Sequence, residues 1–153
     1  MKRSSTAFLR YAISCLLFFF AACSIAAQEP PVSHEVFLNE VQEKAFRYFE
    51  EQHNPHNGLV RDSAPNRSGG ASSAPASIAA TGFALTVYPV AVERGWMSRA
   101  SAHELTLRTL EFFLDHAQHN KGFFYHFLNF ETGERVSHCE LSPIDTALFL
   151  AGA

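Results

Sequence analysis

Cysteine is scarce in this chain. Only three stand in 153 residues, and two of them, Cys15 and Cys23, lie close to the N-terminus. If that segment is removed, Cys139 stands alone. No intramolecular disulfide can then staple the product, which must hold together by its core. Basic charge is scarce too. Removing residues 1–27 takes three of the 12 Lys and Arg and none of the 15 Asp and Glu, leaving nine against fifteen and a net charge of −6 with His neutral. A chain that acidic has no electrostatic reason to hold nucleic acid or anionic lipid, and a neutral substrate suits it better. Also absent are a glycine-rich phosphate loop, a CxxC or HExxH spacing and an internal repeat. No cofactor and no metal are therefore expected.

The strongest apolar run is at the start. "MKRSSTAFLR" carries Lys2, Arg3 and Arg10 and no acid; "YAISCLLFFFAACSIAA" follows, almost wholly apolar, and then small residues. A positive n-region, an apolar h-region and a small-residue cleavage site are the marks of an export signal, here residues 1–27. The run is short for a spanning helix, and no basic stop-transfer flank follows it. A rival cut lies at "FAAC", where Cys23 would carry a lipid, although Phe20 stands where such boxes usually hold Leu. The expected location is periplasmic or secreted, with an outer-membrane lipid anchor through Cys23 as the alternative and the only expected membrane contact.

Residues 28–153 make at most one domain. Ser33 to Gln52 has helical spacing, with Val36, Phe37, Val41, Ala45, Tyr48 and Phe49 near one face. Pro55 and Asn57-Gly58 end it. Ser63 to Ala76 is a Ser/Ala/Gly/Pro-rich loop, read equally as a flexible connector or a functional lid. Ser77 to Gly95 is a second helix, capped by Ser77 and stopped at Gly95. It is apolar nearly all round, and Pro89 should kink or interrupt it. Ser98 to Gln118 is a third, capped by Ser98 or Ser101. Alternation from Phe123 to Phe130, then "ETGER", predicts one β-hairpin. The fourth helix opens with Ser142 at the N-cap, Pro143 at N1 and Asp145 at N3. The plan is all-α with one β excursion. Its second and fourth helices are too apolar for a surface, so the natural architecture is expected to continue beyond Ala153.

Glu140 and Asp145 are the candidate catalytic residues. Cutting a glycosidic bond commonly needs one protonated carboxyl and one ionised carboxylate, held in environments that separate them. Asp145 at N3 meets free N–H groups and the positive helix end, which favours its charged form. Glu140 leaves an aromatic hairpin, and an apolar neighbourhood there would raise its pKa and suit it to donate a proton. Asp145 is explained as well by helix capping alone. Phe123, Phe124, Tyr125, Phe127 and Phe130 offer faces to a sugar, but core packing accounts for most of them. His116, His119, His126, His138 and Cys139 show no metal-ligand spacing. Arg61 and Asp62 read first as a surface ion pair.

Five motifs then stand in order: "FRYFEEQHNPHNGLVRD", "SIAATGFALTVYPVAVERGWMSR", "LRTLEFFL", "GFFYHFLNFETGERV" and "ELSPIDTALFLAGA". Together they resemble the N-terminal part of the bacterial glucoamylase-like (glycoamylase-like) family, from Phe46 to Ala153. The resemblance implies a partial (α/α)6 toroid, truncated to about four helices plus the hairpin, with residues 28–153 as an N-terminal fragment of that domain. It implies an oligo- or polysaccharide substrate, possibly a β-1,2-linked glucan. Glu140 and Asp145 match its acidic "ELSxID" segment, and Arg61 and Asp62 its "GLVRD". With Tyr125 and His126 these last two are the expected substrate-binding residues. A glycoside hydrolase, incomplete and weakly active or inactive as a fragment, is the leading expectation. A non-catalytic envelope carbohydrate-binding protein or a degenerate gene remnant is the alternative.

Overall fold

The computed structural model describes residues 33–66 and 72–153. The expected export signal, Cys23 and the middle of the Ser/Gly-rich loop lie outside the described residues. The chain divides into two compact units at Phe37/Leu38.

Four helices form where the periodicity places them. They are α1 (His34–Gln52), α2 (Ile78–Glu93), α3 (Arg99–Asp115) and α4 (Pro143–Gly152). Each N-terminus is capped by the hydroxyl that the sequence offers. Ser33 Oγ accepts from the Val36 N–H at 3.2 Å, Ser77 from Ala80, Ser98 from Ser101, and Ser142 from Asp145. Satisfying these otherwise free donors contributes about 1 kcal/mol per helix. Ser98 wins over Ser101, whose own hydroxyl turns back to Ser98 at 2.7 Å. Pro89 does not interrupt α2, which runs through it to Glu93. No described helix is long and apolar enough to cross a membrane.

The apolar face expected for α1 is buried only at its C-terminal end. Tyr48 and Phe49 pack against the core beside Phe46, 1% exposed and stacked on Trp96 at 5.9 Å, whereas Val36, Phe37 and Val41 are exposed. Phe46 is the one anchor that local spacing does not single out.

α2 packs most extensively on α4 and less on α3. The α2–α4 contact is made through glycine. A Cβ on Gly82 would meet Phe149 Cα at 2.5 Å and Leu148 O at 2.7 Å, and one on Gly152 would collide with the Gly82 carbonyl. Next to this crossing three rings interlock. Phe113 stacks on Phe149 at 3.8 Å, and Phe124 meets Phe113 edge-on at 5.0 Å and Phe149 at 5.7 Å. They bind α3, α4 and a short strand into the core formed with Leu59, Val60, Ile78, Leu85, Tyr88 and Leu128.

The β excursion is more divided than one hairpin. β2 (His119–Asn120) pairs antiparallel with β3 (Phe123–Phe124), and β1 (Ala76–Ser77) with β4 (Phe127–Leu128). The first pair turns on Lys121 and Gly122, with φ of 52° and 84°, which matches the twist that two-residue hairpins need. Lysine is uncommon at such a position, which is why the turn is inconspicuous in the sequence. The "ETGER" turn forms as expected, closed by a Leu128–Arg135 bridge and an Asn129 N–H to Glu134 O bond of 2.7 Å. Arg61 bridges Ala76, Ala76 pairs with Leu128, and Leu128 bridges Arg135, so four short rows lie side by side. The base of the 63–75 loop is closed. Asp62 N–H reaches Pro75 O at 2.9 Å, Arg61 Nη1 reaches Ala74 O at 2.6 Å, and Ser72 Oγ reaches Ser63 O at 2.5 Å.

Candidate active site

Three of the candidate residues converge. His126 follows β3 by one residue past Tyr125. Its main-chain N–H donates to Glu140 O at 3.1 Å, and Tyr125 bridges Leu141, so the backbone sets the two segments side by side. The imidazole lies flat on Phe127, centroids 3.8 Å apart, which fixes its plane. Its Nδ1 is 2.8 Å from Glu140 Oε1, and its Nε2 faces Asp145 Oδ2 at 3.7 Å. One nitrogen edge thus addresses both acids.

Their settings differ. Glu140's side chain is 65% exposed, Asp145's 14%. Asp145 sits in the first turn of α4, where its Oδ2 accepts the Ser142 hydroxyl at 2.5 Å while its N–H donates back to Ser142 Oγ at 3.2 Å. That is a reciprocal cap, as the Ser-x-x-Asp spacing suggests. Glu140 behaves opposite to the expectation of a raised pKa. Its own main-chain N–H, then the His126 ring, hold its carboxyl below the usual range against the opposing effect of desolvation, with the smallest help from Arg135. The hairpin exit is wet rather than apolar, which favours the ionised form of Glu140.

One ligand atom each from His126, Glu140 and Asp145 lies within 4.8 Å of the others, a set that could hold a metal ion. Spacing along the chain does not reveal it, because two of the three residues come from the β segment and its exit, and one from a helix. Hydrogen bonding accounts for the short contacts without an ion.

No protein-family profile matches the chain. An exo β-1,2-glucooligosaccharide sophorohydrolase (non-reducing end) from Parabacteroides distasonis is 30% identical over 114 residues, 74% of this chain and 15% of that protein. A Bacteroides uniformis crystal structure described as a glucoamylase superposes with a TM-score of 0.71 at 25% identity, over 81% of this chain and 30% of the other. This chain is glucoamylase-like. The fold is also that of an endo-β-1,2-glucanase from Chitinophaga pinensis, solved with sophorotriose and glucose, with a TM-score of 0.64 at 23% identity over 78% of this chain and 30% of that one. These neighbours are (α/α)6 glycoside hydrolase folds, and the glucoamylase-like chain spans less than a third of the length of each.

Within the glucoamylase-like chain the other candidates have partners of their own. The Arg61 guanidinium lies 3.6 Å over the Phe130 ring and, as noted, ties down Ala74. Asp62 is exposed, and among the described residues no ion pair joins it to Arg61. Tyr125 is half-buried beneath the Arg135 guanidinium at 4.6 Å. Of the hairpin aromatics, Phe124 is core and Phe123 is exposed. Besides the expected residues the structure brings in Arg135, which the sequence shows only as part of a turn and which packs on Tyr125. A basic residue five positions before a candidate acid was the available signal.

Proposed function

We propose that this chain supplies one wall of a glucan-cleaving site, with β-1,2-linked glucose oligomers as the substrate class. The observation that carries the reading is the His126 edge set against Glu140 and Asp145, in a chain whose relative is named for hydrolysing β-1,2-glucooligosaccharides. The two acids work as a unit on one side of the glycosidic bond. One oxygen of each lies within 4.8 Å of one oxygen of the other. Glu140 is the ionised carboxylate that faces substrate and polarises a sugar hydroxyl or water. Asp145 backs the imidazole and holds it in register. Tyr125 offers a face and a hydroxyl at the margin, and Arg61 and Asp62 stand at the neck of the 63–75 loop as outer sugar contacts. Export through residues 1–27, to the periplasm or beyond, is part of the proposal, supported by the charge and apolar pattern of that segment. Lipid attachment at Cys23 is the variant form of it.

The test uses the full chain and sophorotriose, with maltotriose as the control, followed by calorimetry and by reducing-end release from β-1,2-glucan. Binding of sophorotriose alone, lost in Glu140→Gln, supports the proposal. Equal affinity for both sugars, or none for either, refutes it. Binding that survives both Glu140→Gln and Asp145→Asn, with no release of reducing ends, would favour the non-catalytic carbohydrate-binding reading.

A further inference from the structure

The segment that delivers Glu140 has costly backbone geometry. Ser137 and His138 are consecutive residues with φ of 56° and 51°. The left-handed region disfavours any residue with a Cβ, and two in succession persist only where neighbours hold them. The neighbour here is Arg135. Its Nε donates to Cys139 O and its Nη2 to His138 O, both at 2.6 Å, and its flat face lies over Tyr125. One guanidinium therefore grips two successive carbonyls just before Glu140. It also rests on the ring next to His126 on the opposite segment. The planar fork is what makes this possible, because a lysine ammonium cannot span two carbonyls while stacking on a ring. Cys139 adds a weaker tie, its Sγ 3.3 Å from both Phe127 N and Phe127 O.

We infer that Arg135 is the positioning residue of the candidate site: it holds the Ser137–Cys139 turn so that the Glu140 carboxylate lands on His126 Nδ1. The inference rests on Glu140 being a site residue, as proposed above, but its mechanics do not depend on the sugar. The groups that face Glu140 are its own N–H, His126, Arg135 and, through the imidazole edge, Asp145. The direct charge of Arg135 is the smallest of the influences that hold the carboxyl down. A charge-conserving substitution therefore separates grip from charge.

The experiment follows the Glu140 carboxyl through a pH titration by carbon-detected NMR in the full chain, for the wild type, Arg135→Lys and Arg135→Gln. Both variants are expected to move the Glu140 midpoint up toward its ordinary value, Lys nearly as far as Gln, with the native far-UV circular dichroism spectrum retained. Adding Ser137→Gly and His138→Gly to Arg135→Lys removes the Cβ penalty and is expected to return the midpoint toward wild type. An Arg135→Lys titration that matches wild type overturns the inference, since charge alone would then suffice. So does a loss of the whole fold, or a failure of the glycines to rescue. Sophorotriose binding is measured on the same wild-type sample. Its absence beside a normal Glu140 response would remove the proposed substrate and leave the clamp standing.

Discussion

Replacing Gly82 with Ala sets two physical effects against each other, and the structure decides the sign. Alanine is the better helix former, worth about 1 kcal/mol at an interior position. Gly82, however, is where α2 touches α4. The new Cβ would lie 2.5 Å from Phe149 Cα, 2.7 Å from Leu148 O and 2.9 Å from Phe149 N, where ordinary contact begins near 3.4 Å. All three opposing atoms are backbone, so no side chain can swing aside. The helices must part by about 1 Å, and a gap of that size forfeits a quarter to a half of the dispersion energy along the separated surfaces. Overpacking of this kind costs about 1–3 kcal/mol, toward the upper end where backbone blocks backbone. After the propensity gain, a net loss of about 2 kcal/mol is expected. For a chain of this size that is a fall of about 8 °C in Tm. Urea unfolding of the full chain, followed by far-UV circular dichroism, should show a lower midpoint with an unchanged slope. Gly152→Ala should cost a similar amount, and the double variant less than the sum, because the same separation relieves both collisions. A Gly82→Ala protein as stable as wild type, or more stable by the propensity term, would refute the close-crossing argument.

Other substitutions test other parts of the fold. Among the described residues the buried Tyr88 hydroxyl finds no hydrogen-bond partner, and burial pushes the phenol pKa up, so Tyr88→Phe should raise stability by about 1 kcal/mol in the same urea assay. Thr146 Oγ1 accepts the Phe124 N–H at 3.0 Å and donates to Ser142 O at 2.7 Å; Thr146→Val leaves that buried N–H orphaned and should cost about 2 kcal/mol. Glu140 has a depressed folded pKa, so its bond to His126 is fully present above the ordinary glutamate range and fades as pH falls through the lower, folded value; carboxyl chemical shifts should register the loss there, and His126→Phe should move it upward.

Some features of this molecule follow from local rules. Four serine caps and the reciprocal Ser142–Asp145 bond reach partners three residues away, the "ETGER" turn closes within seven, and sequence spacing alone specifies them. The two apolar helices are equally legible as helices, although Phe83, Val90, Ile144 and Leu150 on them are exposed. The site is only half legible. Glu140 and Asp145 stand out as acids beside a helix start, but their relation to His126 depends on how the β segment returns past its own exit. The expectation that Glu140 sits in an apolar, proton-donating pocket fails because solvent reaches the turn and an imidazole faces the carboxylate.

Sequence by itself determined where the helices begin, which of them are greasy and which acids stand near a helix N-terminus. Tertiary structure decided the rest. It chose Phe46 rather than Phe37 as the anchor of α1, made glycine the contact between α2 and α4, and brought Arg135 round onto the carbonyls that precede Glu140. The physical reason is range. A cap or turn is satisfied within one turn of chain, whereas burial, helix crossing and the pairing of an imidazole with two carboxylates depend on partners that only the folded backbone brings within a few ångströms.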